Sequence, residues 1–153
     1  MKENSIKVFF TTIWSVMASV LGTLHIPVVL LVICNVVDYI TGLMAAPYRE
    51  DKVISSYKSM KGITKKIGMW LLVVVGVVMD QLILYAVATM GWTFPFTFLI
   101  GCIVSIWLIC NETISILENL QDVGIEIPAF LMPLAKNIQK KAEGSVEVES
   151  EEE

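Results

Sequence analysis

The chain has 153 residues, of which 56% are hydrophobic and 17% charged, with a formal net charge of −4 and a mean hydropathy of +0.72. A soluble domain carries roughly 25% charge, whereas between residues 67 and 117 the only acids or bases apart from Tyr and Cys are Asp80 and Glu112. That argues against a soluble enzyme or a nucleic-acid binder and reads as an all-α integral membrane protein.

About 20 apolar residues cross a bilayer as a helix, and four segments approach this. The first, residues 8–24, has no charge and ends at His25 and Pro27. It reads as a retained segment, because no small-residue cleavage site precedes a soluble mature chain. The second, 26–46, holds one charge, Asp38, and stops at Pro47. The third, 67–90, holds one, Asp80. "GWTFPF" (91–96) supplies a turn, with Gly91 and Pro95 breaking helix and its aromatics suiting an interface. The fourth runs from about 94 to 116 and continues through "LENLQDV" towards Gly124 and Pro128.

The basic residues fall in three groups. Lys2 and Lys7 precede the first segment. Arg49, Lys52, Lys58, Lys61, Lys65 and Lys66 fill the loop between the second and third, and Lys136, Lys140 and Lys141 follow the fourth. Lys and Arg accumulate on the cytoplasmic side, so four spans with both termini cytoplasmic satisfy every group. The first segment is about 25 Å long as a helix, short of a ~30 Å core. Were it interfacial, three spans would remain with an external N-terminus, which puts Lys2 and Lys7 on the wrong side; the orientation of the rest is the same.

At 100° per residue, Thr11, Ser15, Ser19 and Gly22 share a face of the first segment. Asn35, Asp38, Gly42 and Ala46 share one on the second, and Thr97, Gly101, Ser105, Glu112, Ser115 and Asn119 share one on the fourth. The third has Gly76 and Asp80 alone in such a row. Small and hydroxyl residues let helices approach closely. The acids are costlier in lipid, and burial disfavours their charged form. With no Lys or Arg assigned to their depth, Asp38, Asp80 and Glu112 are expected to be protonated or to face water. Asp38 reads as mid-membrane, Asp80 as nearer the outside and Glu112 as near the inner interface, so no compact site forms within one subunit.

No HExxH, phosphate-binding glycine loop or nucleophile–base pair is present, and His25 reads as an interfacial residue. No catalytic residue, metal or cofactor is expected. Cys34, Cys102 and Cys110 fall in apolar segments without paired spacing and read as small hydrophobes. Lys58, Lys61, Lys65 and Lys66 form a cytoplasmic basic loop suited to anionic headgroups. After Pro128, Phe130, Leu131, Leu134 and Ile138 give a short surface helix an apolar face. Residues 1–142 then form one multi-helix membrane domain, and the acidic stretch 143–153 a disordered cytoplasmic tail.

"DYITGLMAA" (38–46), "KGITKKIG" (61–68), Asp80 and "NETISILENLQDVGIEIP" (111–128) together resemble the toxin-secretion/phage-lysis holin family, over about residues 35–141. Asp38, Tyr39, Gly42, Asp80, Asn111, Glu112 and Asn119 match that pattern. The long acidic end departs from it, which puts any tail-based control of timing in doubt. The resemblance implies a small phage or prophage protein that oligomerises in the bacterial cytoplasmic membrane. It would open lesions there, releasing a cytoplasmic endolysin or a toxin. The pattern itself assigns no role to each of these residues; the Asn35–Asp38–Gly42–Ala46 seam, with Asp80, Asn111 and Glu112, is expected to mediate helix contact or to face lesion water. An export channel for a toxin or small solute, and a non-conducting scaffold using the acidic tail, are the competing readings.

Overall fold

The computed structural model describes residues 2–49, 56–93 and 95–144. Lys52 and the acidic stretch from residue 145 onward lie outside these, as does the side chain of Lys58. Among the described residues the chain is all-helical, with α1 (Lys2–Leu21), α2 (His25–Ala45), α3 (Ser56–Thr89), α4 (Leu99–Asp122) and α5 (Leu131–Gly144). Single 3₁₀ turns at Gly22–Leu24 and Ala46–Tyr48 extend α2 at both ends.

The helix ends follow from local chemistry. Proline is tolerated in a first turn, where its missing N–H would be unpaired anyway. Pro27 sits there in α2, and Pro133 in α5. α3 and α4 both stop on a glycine at positive φ, Gly91 at 73° and Gly124 at 91°. At each, two backbone bonds close the last turn. Gly91 N–H donates to Ala88 and Trp92 N–H to Val87; Gly124 N–H donates to Gln121 and Ile125 N–H to Leu120. This is the Schellman arrangement, which satisfies the orphan carbonyls of a helix end and needs a residue able to adopt the left-handed conformation.

Three helical stretches are long and apolar enough to cross a membrane: Gly22–Tyr48, Met60–Thr89 and Leu99–Asp122. α1 is not among them. Its first turns carry Lys2, Glu3, Asn4, Ser5 and Lys7. It meets α2 near the Gly22–Leu24 turn, where the Trp14 ring lies edge-on to His25 with centroids 6.0 Å apart. The row Thr11, Ser15, Ser19 and Gly22 is exposed there.

α4 is the centre of the molecule, contacting α2, α3 and α5. The core between α2, α3 and α4 is small: Leu24, Val28, Leu31, Met69, Val73 and Leu108. The outward faces of the spans are apolar and open, as at Ile33, Val36 and Ile40 on α2 and Leu71, Val74 and Leu82 on α3. A soluble monomer rarely shows so large an apolar surface. Lipid is the solvent that fits it, and the chain is a multi-pass membrane protein.

Candidate functional site

The side chains singled out in the sequence divide into two groups along the three spans, termed inner at the end where α2 finishes and α3 starts, and outer at the end where α3 finishes and α4 starts. In the outer half, α3 crosses α4 at two glycines. A Cβ on Gly76 would lie 3.0 Å from the Gly101 Cα, so the helices touch backbone to backbone. One turn on, Asp80 is 4% exposed. Its Oδ1 accepts from Ile100 N–H at 2.9 Å and its Oδ2 from Gly101 N–H at 2.8 Å. The first amides of a helix have no intrahelical partners and carry partial positive charge. Phe98, the residue at the N-cap of α4, makes no side-chain cap. Asp80 supplies it from the neighbouring helix, through two bonds that exist because Gly76 and Gly101 let the backbones meet.

The inner group is held by side chains. Lys66 Nζ, near the start of the apolar part of α3, donates to Asn35 Oδ1 at 3.1 Å, to Asp38 Oδ2 at 2.9 Å and to the Glu112 Oε2. All three ammonium donors are thereby used. Asn119 Nδ2 donates to Asp38 Oδ1 at 3.2 Å and to Thr41 Oγ1 at 3.1 Å. Arg49 Nη2 donates to Asn119 Oδ1 at 2.6 Å, and its Nε to Asp122 Oδ2 at 2.7 Å. The result is one connected string, Glu112–Lys66–Asp38–Asn119–Arg49–Asp122, joining α2, α3 and α4. Glu112 is 2% exposed and Asn119 4%, whereas the Arg49 end is open. Asn35 Nδ2 is buried and has no partner among the described residues.

This corrects the expectation of acids spread over separate depths with no cation beside them. Asp38 and Glu112 share one lysine because α4 begins at Leu99 rather than near residue 94. Glu112 is then thirteen positions into α4, as Asp38 is thirteen into α2. Of the three acids expected to be neutral or water-facing, Asp38 and Glu112 are paired with Lys66 inside one chain and Asp80 with two backbone amides. Lys66 was assigned to the basic loop, yet a legible signal placed it here. Lys66, Val73 and Asp80 recur every seven residues on the face that carries Gly76.

The remaining residues are placed as follows. Gly42 faces Asn119, whose Nδ2 would lie 3.7 Å from an added Cβ. Ala46 is half-buried in the 3₁₀ turn. Asn111 is on a different side of α4, where its Oδ1 accepts from Gln139 Nε2 of α5 at 2.9 Å. Gly101, Ser105, Glu112 and Asn119 are buried in a row on α4, with Ser115 partly so, while Thr97 precedes the helix and is exposed. Lys61 and Lys65 are exposed. Among the described residues no His, Cys, Asp or Glu cluster is arranged to hold a metal, and the three cysteines are free. Sequence reasoning missed the role of Arg49 and the docking of α5, which presents Ala135 and Gln139 to α4 and leaves Phe130, Leu134 and Ile138 exposed.

Chemically, the inner group is an ionic clamp. Two carboxylates and an ammonium in a low-dielectric setting attract strongly but lose hydration, so the pair adds little net stability over apolar residues. Removing one partner strands the others and costs about 3–5 kcal/mol.

A model of the bacteriophage holin family matches residues 15–140. An uncharacterized protein of Clostridium perfringens strain 13 is 30% identical over 122 residues, 80% of this chain and 82% of its own. An uncharacterized 14.9 kDa protein from the nagH 3′ region of Clostridium perfringens is 28% identical over 138 residues, 90% of this chain and 96% of its own. An uncharacterized protein of Listeria monocytogenes is 36% identical over 113 residues, 74% of this chain and 71% of its own. No solved structure matches.

Proposed function

The chain belongs to the bacteriophage holin family, and from that premise we propose that it permeabilises the bacterial cytoplasmic membrane to release an endolysin or toxin. The observation that carries this is the closure of the inner clamp within one chain. Asp38, Glu112 and Lys66, and Arg49 with Asp122, find their partners inside the protomer, so the outward faces of α2 and α3 in a single copy present lipid with apolar side chains. Such a protomer accumulates without leaking. Assembly into homo-oligomers then brings polar groups of several copies to a common water-filled lesion.

In this reading both termini are cytoplasmic, as the distribution of Lys and Arg favours. α1 completes a four-span arrangement when it inserts, with residues 1–142 forming the membrane domain and the acidic end lying in the cytoplasm. No catalytic residue and no cofactor takes part. The Asn35–Asp38–Gly42–Ala46 seam, Asp80 and Glu112 hold helices together in the dispersed protomer, and Lys61 and Lys65 meet anionic headgroups.

The test is inducible expression in a bacterial host with and without a co-expressed cytoplasmic endolysin. Culture turbidity should collapse after a delay when both are present, and growth should stop without collapse when the endolysin is absent. Full membrane insertion with no effect on viability in either strain would refute the proposal.

A further inference from the structure

We infer that α5 is held at the depth of the bilayer, alongside α4, and that its polar face lines the water of the assembled lesion. The inference rests on the lesion reading above.

The depth follows from register. Gln139 of α5 meets Asn111 of α4, and Glu143 Oε1 accepts from Trp107 Nε1 at 2.7 Å. α5 therefore runs antiparallel to α4, from the inner end back towards its middle. Trp107 is fifteen positions before Asp122, or about 22 Å at 1.5 Å per residue. A hydrocarbon core is about 30 Å thick, so with Asp122 at its inner edge the C-terminal end of α5 lies past the middle of the core.

The inner half of α4 is not standing in the cytoplasm. Asn119 is joined to Asp38 and Thr41, which sets residues 38–41 of α2 at the same height. There α2 turns Val37, Ile40 and Met44 outward, 38%, 51% and 46% exposed. A helix face of this kind belongs in lipid.

The two sides of α5 differ. Ala135, with Leu131, Met132, Gln139 and Ala142 partly covered, faces α4. Phe130, Leu134 and Ile138, spaced by four, form an exposed apolar row beside it. Lys136, Asn137 and Lys140 are exposed on the opposite arc. Two lysines held in the hydrocarbon are strongly unfavourable, and polar side chains at that depth face a bundle interior or a water-filled cavity. The interior of this bundle is already filled by the Lys66 clamp. The water the α5 lysines need is that of the lesion, and assembly supplies it.

The test uses the purified full-length chain, its native cysteines replaced by alanine, in liposomes loaded with a folded reporter enzyme. Single cysteines carry a nitroxide at Lys140→Cys, Leu134→Cys or Ile40→Cys, the last marking lipid on α2. In vesicles that release reporter, Lys140→Cys should be relaxed several-fold more by a water-soluble nickel chelate than by oxygen. Leu134→Cys should show the reverse, matching Ile40→Cys. Leaky vesicles in which Leu134→Cys and Lys140→Cys both read water would place α5 in the cytoplasm and overturn this inference alone. Leaky vesicles in which both read oxygen would also overturn it, by putting the polar face in lipid. Vesicles that retain reporter overturn the lesion reading and this inference together. Should a labelled variant fail to insert, the double substitution Lys136→Leu/Lys140→Leu in the unlabelled chain gives the second reading. Reduced reporter release at equal insertion supports the lining role, and unchanged release contradicts it.

Discussion

The bundle buries carboxylates in two ways. Asp80, in the outer half, is held by two backbone amides at the start of α4. Asp38 and Glu112, in the inner half, are held by one lysine side chain and its neighbours. A helix N-terminus is a fixed donor that cannot leave without unwinding the helix. A lysine is a flexible point charge with rotatable donors, and it can exchange one carboxylate for another or for water. The outer contact thus behaves as a permanent joint between α3 and α4. The inner one is a clamp whose partners can exchange.

Substitutions distinguish the two kinds of contact. The largest effect is expected from Lys66→Met, which strands Asp38 and Glu112 and should cost about 3–5 kcal/mol of bundle stability, read as denaturant unfolding in detergent. Adding Asp38→Asn and Glu112→Gln to that background should restore most of the loss. If the triple variant is no better than Lys66→Met alone, the clamp is not the source of the cost.

Asp80→Ala comes next. It leaves the Ile100 and Gly101 amides without their acceptor, at a cost of about 1–3 kcal/mol. Here no compensating substitution on a side chain should rescue, because the partners are backbone. Rescue by a nearby polar substitution on α4 would show that Asp80 acts as the inner acids do.

Gly76→Ala is a comparable test of the close crossing. Its Cβ would meet Gly101 at 3.0 Å, and overpacking of this kind costs about 1–3 kcal/mol. Gly42→Ala, with 3.7 Å of room, should be close to neutral, whereas Gly42→Leu should disturb the helix contact and reduce crosslinked oligomers. Equal losses at Gly76→Ala and Gly42→Ala would contradict the difference in helix spacing.

The smallest effect is expected for Trp107→Phe. It keeps the ring but loses the bond to Glu143, worth about 0.5–1.5 kcal/mol. Protease sensitivity of α5 in detergent should rise modestly, with the α2–α4 contact unaffected.

Much of this architecture was legible in the chain. The spacing of apolar runs marks α2, α3 and α4, and Gly91 and Gly124 stand where the helices stop. The small-polar rows on α2 and α4 do face one another, through Asn35, Asp38, Glu112 and Asn119. The depth of Glu112 was misjudged, because Pro95 and the aromatic residues around it delay the start of α4 to Leu99, and five residues of helix amount to about 7.5 Å. Lys66 was hidden by its company, as one of several basic residues in a loop-like stretch. The seven-residue recurrence with Val73 and Asp80 separates it from Lys61 and Lys65. The docking of α5 was not legible, since its hydrogen bonds to Asn111 and Trp107 depend on tertiary register that no local pattern encodes.

The most direct measurement is release of a folded cytoplasmic reporter enzyme from a bacterial host after induction of this chain, followed in time with and without membrane depolarisation. The expected result is a delay in which the protein accumulates silently, then abrupt growth arrest with release of the enzyme, brought forward by depolarisation. Leakage of ions from the first minutes, with the enzyme retained, would contradict it and indicate a small channel instead.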